Sequence, residues 1–340
     1  MKLWQAPART LPITIRPIGG ETIPSYARRL AEANDLYSTA ILRAIGEHRY
    51  GTGRHLFRHD ACLNDQAADR LAVFAGMPRD RLRRALPALS QGLPAYQKPL
   101  PMDRPAVYTY TPIPNPRLAC HHCQIRNAVN PNPPTVLVRT TDPRSPLICY
   151  RHRRWLGNLA DTTQYDLRHA DEIITAERRY QRLLAGRRDT GWVSDLLITA
   201  WNITQAWATH PPIRLPTVVK WWRARAVALG IPDAPRQPIV TFPEAVTLTE
   251  ILTNLDWRQH VAMAEDYDLG RFYQHIARSL GETHPQSAQA TRRIIWGQRD
   301  ALTYWVAAHR HRFRDLRLRH QAEQRRQWVP KPFPEKGHFR

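Results

Sequence analysis

A mainly α fold with a small zinc-ribbon β module is what this sequence predicts, and three observations predict it. Apolar residues recur at helical spacing, between recognisable caps, on both sides of the chain's middle. Three of the four cysteines fall between Cys120 and His152, in two pairs at metal-ligand spacing. Fifty Lys and Arg stand against 29 Asp and Glu, a formal charge of +21. The expected order is a helical N-terminal domain over 1–105, the zinc ribbon over 106–160, a helical domain with helix-turn-helix elements over 161–309, and a partly disordered basic tail over 310–340.

The N-terminal elements follow from local chemistry. Residues 11–16 alternate apolar and polar positions around Pro12 and read as a short extended edge segment. A helix then starts, with Thr22 as cap and Pro24 in its first turn. Ile23, Tyr26, Ala27, Leu30, Ala31 and Ala33 form its apolar positions, and Arg28, Arg29 and Glu32 are expected on its other side. A second helix, capped by Ser38 or Thr39, buries Ile41, Leu42 and Ile45 and ends at Gly46. After a His- and Arg-rich loop over 48–59, Cys62 reads as a packed thiol.

Residues 69–75 form a third helix that stops at Gly76, and Pro78 restarts a fourth that runs to about Leu86. This pair reads first as ordinary helical packing, because two helices joined by a glycine turn are commonplace; a DNA-reading helix-turn-helix with Arg79, Arg81, Arg83 and Arg84 available to phosphates is the alternative. Residues 90–118, rich in proline with Tyr96, Tyr108 and Tyr110, read as an irregular connector.

The cysteine pairs carry the sharpest signal. Cys120-His121-His122-Cys123 and Cys149-Tyr150-Arg151-His152 have the C-x2-C and C-x2-H spacing at which two knuckles present thiolates and an imidazole to one tetrahedral Zn²⁺. Cys120, Cys123, Cys149 and His152 are the expected ligands of one structural ion, with His121 as a reserve. Four protein ligands leave no position for a reacting water. A strand over 135–140, preceded by a turn at Pro131, Pro133 and Pro134, completes the ribbon. A module this small has too little core of its own, so its metal is expected to hold it folded.

The same residues carry a resemblance. Residues 17–34, with Gly20-Glu21-Thr22, Ser25-Tyr26, Arg29-Leu30-Ala31 and Asn34, resemble the Gly-Glu-Ser-x-x-Ser-Trp-x-x-Arg-hydrophobic-Ala-x-x-Asn signature that opens the TniQ/TnsD family of transposition proteins. Residues 71–78 resemble the family's helix-Gly-hydrophobic-Ser/Pro step. Arg117-Leu118-Ala119-Cys120 and Cys149-Tyr150-Arg151-His152-Arg153-Arg154-Trp155-Leu156 resemble its two zinc blocks. Tyr26 stands for the usual Trp, Thr22 for Ser, and His121 and Tyr150 for the proline after each first cysteine. The resemblance, over about residues 12–160, implies a non-catalytic adaptor that selects target sites for a transposase. It implies binding to DNA or to an RNA-guided complex, and recruitment of the ATP-dependent regulator that brings the transposase.

The second half reads as helices. Residues 171–184 begin with acids and end with bases, which suits the helix dipole. Another helix starts near Leu196, Leu197 and Trp201. Val218, Val219, Trp221, Trp222, Ala226, Val227 and Leu229 are expected to form an apolar stripe, with Lys220, Arg223 and Arg225 elsewhere on that helix. Further helices are expected at 243–255, 258–264, 268–280 and 286–309. The Trp and Tyr residues are expected in the core. The tail from Arg310 to Arg340 holds ten Lys and Arg against three acids. On a helix, Arg310, Arg312, Arg314, Arg317 and Arg319 can meet phosphates together, with a steep salt dependence; a plain solvated basic tail is the alternative.

Charge and motifs bound the function. The basic balance favours nucleic acid over other partners. No apolar run approaches the ~20 residues of a spanning helix, and nothing at the start resembles a secretion signal, so no membrane partner and a cytoplasmic location are expected. The sequence leaves a homodimer open. It has no Gly-x4-Gly-Lys-Ser/Thr loop, no His-Glu-x-x-His and no Gly-x-Ser-x-Gly. The expected function is therefore a non-enzymatic DNA-associated adaptor. A metal-dependent nuclease or transposase-like enzyme is the alternative, and an RNA-binding structural subunit a third reading.

Overall fold

The computed structural model describes residues 3–48, 59–90, 106–112, 117–126, 137–138, 146–156, 162–209, 216–231, 237–264, 268–281, 301–313 and 318. The protein is mainly helical, with small sheets and a Cys/His cluster. The chain divides into two compact units, Met1–Glu177 and Arg178–Arg340.

In the first unit, α1 (Ile23–Ala33), α2 (Ala40–Ile45), α3 (Asp65–Ala75) and α4 (Arg79–Ala85) surround a core built on Ile23, Tyr26, Leu30, Ile41, Leu71, Phe74, Leu82 and Leu86. Thr22 caps α1, its hydroxyl accepting from Ser25 N–H, and Pro24 lies in the first turn as expected. Thr39 precedes α2 without a side-chain cap bond. Asn64 caps α3, which begins four residues earlier than the sequence predicts. Gly76 ends α3 with φ at +58°, its N–H and that of Met77 bonding back to Val73 and Ala72.

Three expectations are corrected here. Arg29 is buried, not on the outer side of α1, because its guanidinium meets the equally buried Glu21. Residues 11–16 join no sheet among the described residues; Ile13 exchanges both backbone bonds with the Asn34 side-chain amide, and Leu11 N–H bonds to Phe74. The expected connector over 90–118 contains a central strand. Strands β1 (Glu47–His48), β2 (His59–Leu63) and β3 (Val107–Pro112) form a sheet in the order β1-β3-β2, with β1 parallel and β2 antiparallel to β3. The run Val-Tyr-Thr-Tyr-Thr has strong strand propensity, and the prolines lie around it rather than within it. Cys62 is buried in β2.

The same unit carries β4 (Arg117–Leu118), α5 (His121–Arg126), β5 (Leu137–Val138), β6 (Ile148–Cys149) and β7 (Arg154–Trp155). β4 pairs antiparallel with β5, and β6 with β7. A bridge between Glu21 and Val138, and a small cluster of Ile18, Ala119 and Val138, join this module to the segment that leads into α1. Of the expected strand 135–140 only residues 137–138 are described; the prolines before it lie outside the described residues.

Helix α6 (Asp171–Ala185) crosses the division between the units. The second unit continues with α7 (Thr190–Thr209), α8 (Pro216–Ala228), α9 (Pro238–Thr253), α10 (Leu255–Met263), α11 (Leu269–Ser279) and α12 (Ala301–Arg312). α9 is buried along almost its whole length, and α7 lies along it: Trp201 Nε1 donates to Pro238 O at 2.7 Å and Gln205 Nε2 to Thr241 Oγ1 at 2.8 Å. The stripe expected on α8 is also corrected. Val218, Trp222, Arg225 and Ala226 are buried, whereas Trp221 and Val227 are exposed. The reason is Glu244 in α9, which accepts from Trp222 Nε1 and from both terminal nitrogens of Arg225 and so draws a charged residue inward. Only 301–309 of the expected helix 286–309 lies within the described residues, in α12. Among the described residues no helix is long and apolar enough to cross a membrane.

Candidate metal centre

Local structure explains how four distant ligands converge. Cys120 follows β4, and Cys123 sits one turn further on in α5, so the first pair lies at the mouth of a short helix. Gln124 N–H bonds to Cys120 O at 3.0 Å, closing that turn. The second pair sits in the hairpin β6–β7, where His152 N–H bonds to Cys149 O at 3.2 Å and Arg153 takes a left-handed φ of +47° to reverse the chain.

The ligand atoms of Cys120, Cys123, Cys149 and His152 all lie within 4.8 Å of one another. His152 Nδ1 is 3.5 Å from Cys120 Sγ, 3.3 Å from Cys123 Sγ and 3.5 Å from Cys149 Sγ; the last two sulfurs are 3.8 Å apart. Cys120 is buried and the other three are half-buried. These four side chains are close enough to hold a metal ion. The reserve ligand His121 and its neighbour His122 are exposed and outside the set, although the His122 ring packs 5.3 Å from that of His152.

The electrostatics describe three crowded sulfurs. Hydrogen bonding with Cys149, then burial, pushes the Cys120 thiol up, and burial first does the same to Cys123. Cys149 is pulled down, chiefly by the Cys120 hydrogen bond. A cation shared by all three sulfurs favours their thiolate forms and displaces their protons.

Sequence reasoning missed the residues that hold the knuckles. Gln164 bridges the first one, accepting from His121 N–H at 2.9 Å and donating to Ala119 O at 2.8 Å. Gln124 Nε2 donates to the same Ala119 carbonyl at 2.6 Å. Arg154 Nη2 in turn donates to Gln164 O at 2.7 Å. Behind the second knuckle, the buried carboxylate of Glu177 accepts from Leu147 N–H at 2.9 Å. A lone Gln has no spacing signal, so nothing local marks Gln164 in the sequence.

The arginines assigned to nucleic acid fall into three groups. Arg79 is drawn into ion pairs with Asp65 and Asp69 of α3, while Arg81, Arg83 and Arg84 face outward from α4. Arg310 donates to Ala264 O at 3.0 Å and Arg312 is exposed at the end of α12. Arg314, Arg317 and Arg319 lie outside the described residues.

Compared with protein-family models, with characterised proteins and with solved structures, the chain gives no match.

Proposed function

We propose that this protein is a non-catalytic, zinc-stabilised adaptor that binds DNA in selecting target sites for transposition, and that it recruits an ATP-dependent regulator of a transposase. The observation that carries the reading is the closed ligand set. A tetrahedral ion with Zn–S bonds of ~2.3 Å and a Zn–N bond of ~2.0 Å needs sulfurs ~3.8 Å apart and sulfur–nitrogen distances of ~3.5 Å. The observed 3.8 Å and 3.3 to 3.5 Å fit that ion. Bound there, Zn²⁺ supplies a cross-link between the α5 mouth and the β6–β7 hairpin; the protein fills all four positions, so the ion is structural.

The resemblance to the transposition family gains support from what its signature residues do. Glu21, Ser25 and Arg29 form one network, in which Ser25 Oγ and Arg29 Nη1 donate to Glu21 at 2.9 and 2.7 Å, and Asn34 separately holds Ile13. The charge of +21 supports a polyanionic partner, and the outward arginines of α4 and Arg312 are its first candidate contacts.

The test is binding by the full chain. Zinc should be present at one per chain by elemental analysis. Duplex DNA should bind in preference to structured RNA at fixed salt, with affinity falling steeply as salt rises. Pull-down from the native cell should bring an ATPase with it. Cutting of DNA on addition of Mg²⁺ would instead establish the nuclease reading.

A further inference from the structure

Helices α10 and α11 line an open cleft of about 550 Å³. Its α11 wall is Arg271, Gln274, His275 and Arg278, positions i, i+3, i+4 and i+7 of one face. The opposite face of α11 buries Leu269, Phe272, Tyr273, Ile276 and Ala277. The helix is thus seated by its apolar side and offers a row of forked donors and an amide outward. These are the side chains whose geometry matches base edges: Arg to guanine O6 and N7, Gln to adenine N6 and N7.

The seat is rigid where reading requires it. Trp257 of α10 stacks on His275 with centroids 4.6 Å apart and packs against Phe272. His260 Nε2 bonds to Asp268 O at 3.2 Å, and Arg310 bonds to Ala264 O, so both helices are held where the chain passes from one to the other. From Arg271 to Arg278 the helix rises ~10 Å at ~1.5 Å per residue. That spans about three base-pair steps of ~3.4 Å.

Also on α10, the Arg258 guanidinium lies 4.8 Å over the Trp192 ring of α7. Burial first, then the nearby Arg312 and Arg187, lower its pKa, a crowding of cations that a backbone phosphate relieves. Among the described residues Asp256 is the one carboxylate lining the cleft; it repels phosphate but accepts from cytosine N4. The rival helix α4 is seven residues long, and its first arginine is already paired with Asp65 and Asp69. Its remaining outward side chains are Asp80, Arg81, Arg83 and Arg84, with no amide among them to pair with adenine.

We infer that α11 is the helix that reads duplex DNA, lying in the major groove with Arg271, Gln274 and Arg278 against base edges over three to four base pairs while α10 crosses the adjoining backbone. This rests on the DNA-binding reading above and adds the reading surface to it.

The test selects bound duplexes from a random pool with the full chain at fixed salt. The unsubstituted protein should enrich a core of three to four base pairs. Arg271→Ala, Gln274→Ala and Arg278→Ala should each relax preference at one position of that core, by roughly 5- to 150-fold. Gln274→Glu, which keeps the helix surface, should move the preference at its position from adenine toward cytosine. A control with Arg81, Arg83 and Arg84 all changed to Ala should weaken every sequence alike and keep the core. Zinc content and melting temperature matching the unsubstituted protein certify each fold. Variants of α11 that keep the same core, or that weaken all sequences equally, overturn this inference and leave DNA binding standing. Failure of the unsubstituted protein to bind duplex DNA overturns both.

Discussion

Glu21 Oε2 lies 2.7 Å from Arg29 Nη1, and neither group reaches water: the first residue is 0 % exposed and the second 5 %. Glu21 also accepts from Ile18 N–H at 2.8 Å and from Ser25 Oγ–H at 2.9 Å. Burial nevertheless wins and raises its carboxyl above the ordinary 4.5, with Arg29 the largest opposing influence. A raised native pKa means that Glu21 contributes fully below the unfolded value and that this contribution is lost as pH rises through the folded one. Arg29→Ala removes the opposing charge and drives the carboxyl higher still. Its deficit, about 3–5 kcal/mol at neutral pH, should therefore shrink below pH 4.5. Urea denaturation at pH 4 and pH 7 reads this; an equal deficit at both would disprove it. Glu21→Gln with Arg29→Met together should cost less than Arg29→Ala alone, because no charge is left stranded.

Gly76 is irreplaceable for two separate reasons. Its φ of +58° lies in the left-handed region, and a Cβ there would stand 3.0 Å from the methyl groups of both Thr10 and Thr14. Gly76→Ala should cost about 1–3 kcal/mol. Thr10→Ser or Thr14→Ser on that background should each return a share of the crowding part and leave the backbone part. Thermal melts of the four proteins separate them.

Metal removal should act locally. A chelator that strips the ion leaves Cys120 and Cys123 as raised-pKa thiols beside Cys149, so α5 and the β6–β7 hairpin keep the Gln164 bridge and the His122–His152 ring contact but lose the shared ion. Hydrogen exchange should rise over 117–126 and 146–156 while α7 and α9, built on their own core, keep their protection. Uniform loss of protection along the whole chain would count against a local role. His152→Ala should lower metal affinity by more than the ~10–100-fold that outer partners usually cost.

What was readable in the sequence was whatever a few neighbouring residues decide. The Thr22 cap, the Gly76 stop and the paired knuckles each follow from chemistry within four residues, and the mainly helical class follows from periodicity. Arg29 and Arg225 were misplaced because a charge goes inward only when a partner waits there. Those partners, Glu21 and Glu244, lie on another segment or another helix. β3 carries a local signal in Val107 to Thr111, but the surrounding prolines mask it, and its place as the central strand comes from partners 45 to 60 positions earlier. Of the candidate site, the ligands were legible and their support was not.

Gln164 is the case that tests this support. It holds Ala119 O and His121 N–H, one on each side of Cys120, and Arg154 fixes it from behind. Its removal deletes no ligand and leaves the four donor atoms in the chain, so a purely compositional site would not notice. If the knuckle is instead held in shape for the ion, Gln164→Ala should lower metal affinity about 10–100-fold through faster release. Gln164→Glu, which keeps acceptance from His121 N–H but loses the donor to Ala119 O, should fall between. Competition with a chromogenic chelator measures all three proteins. Equal affinity in the Ala variant would show that the ligands alone set the site, whereas a graded loss places the missing information in a single amide 41 residues beyond Cys123.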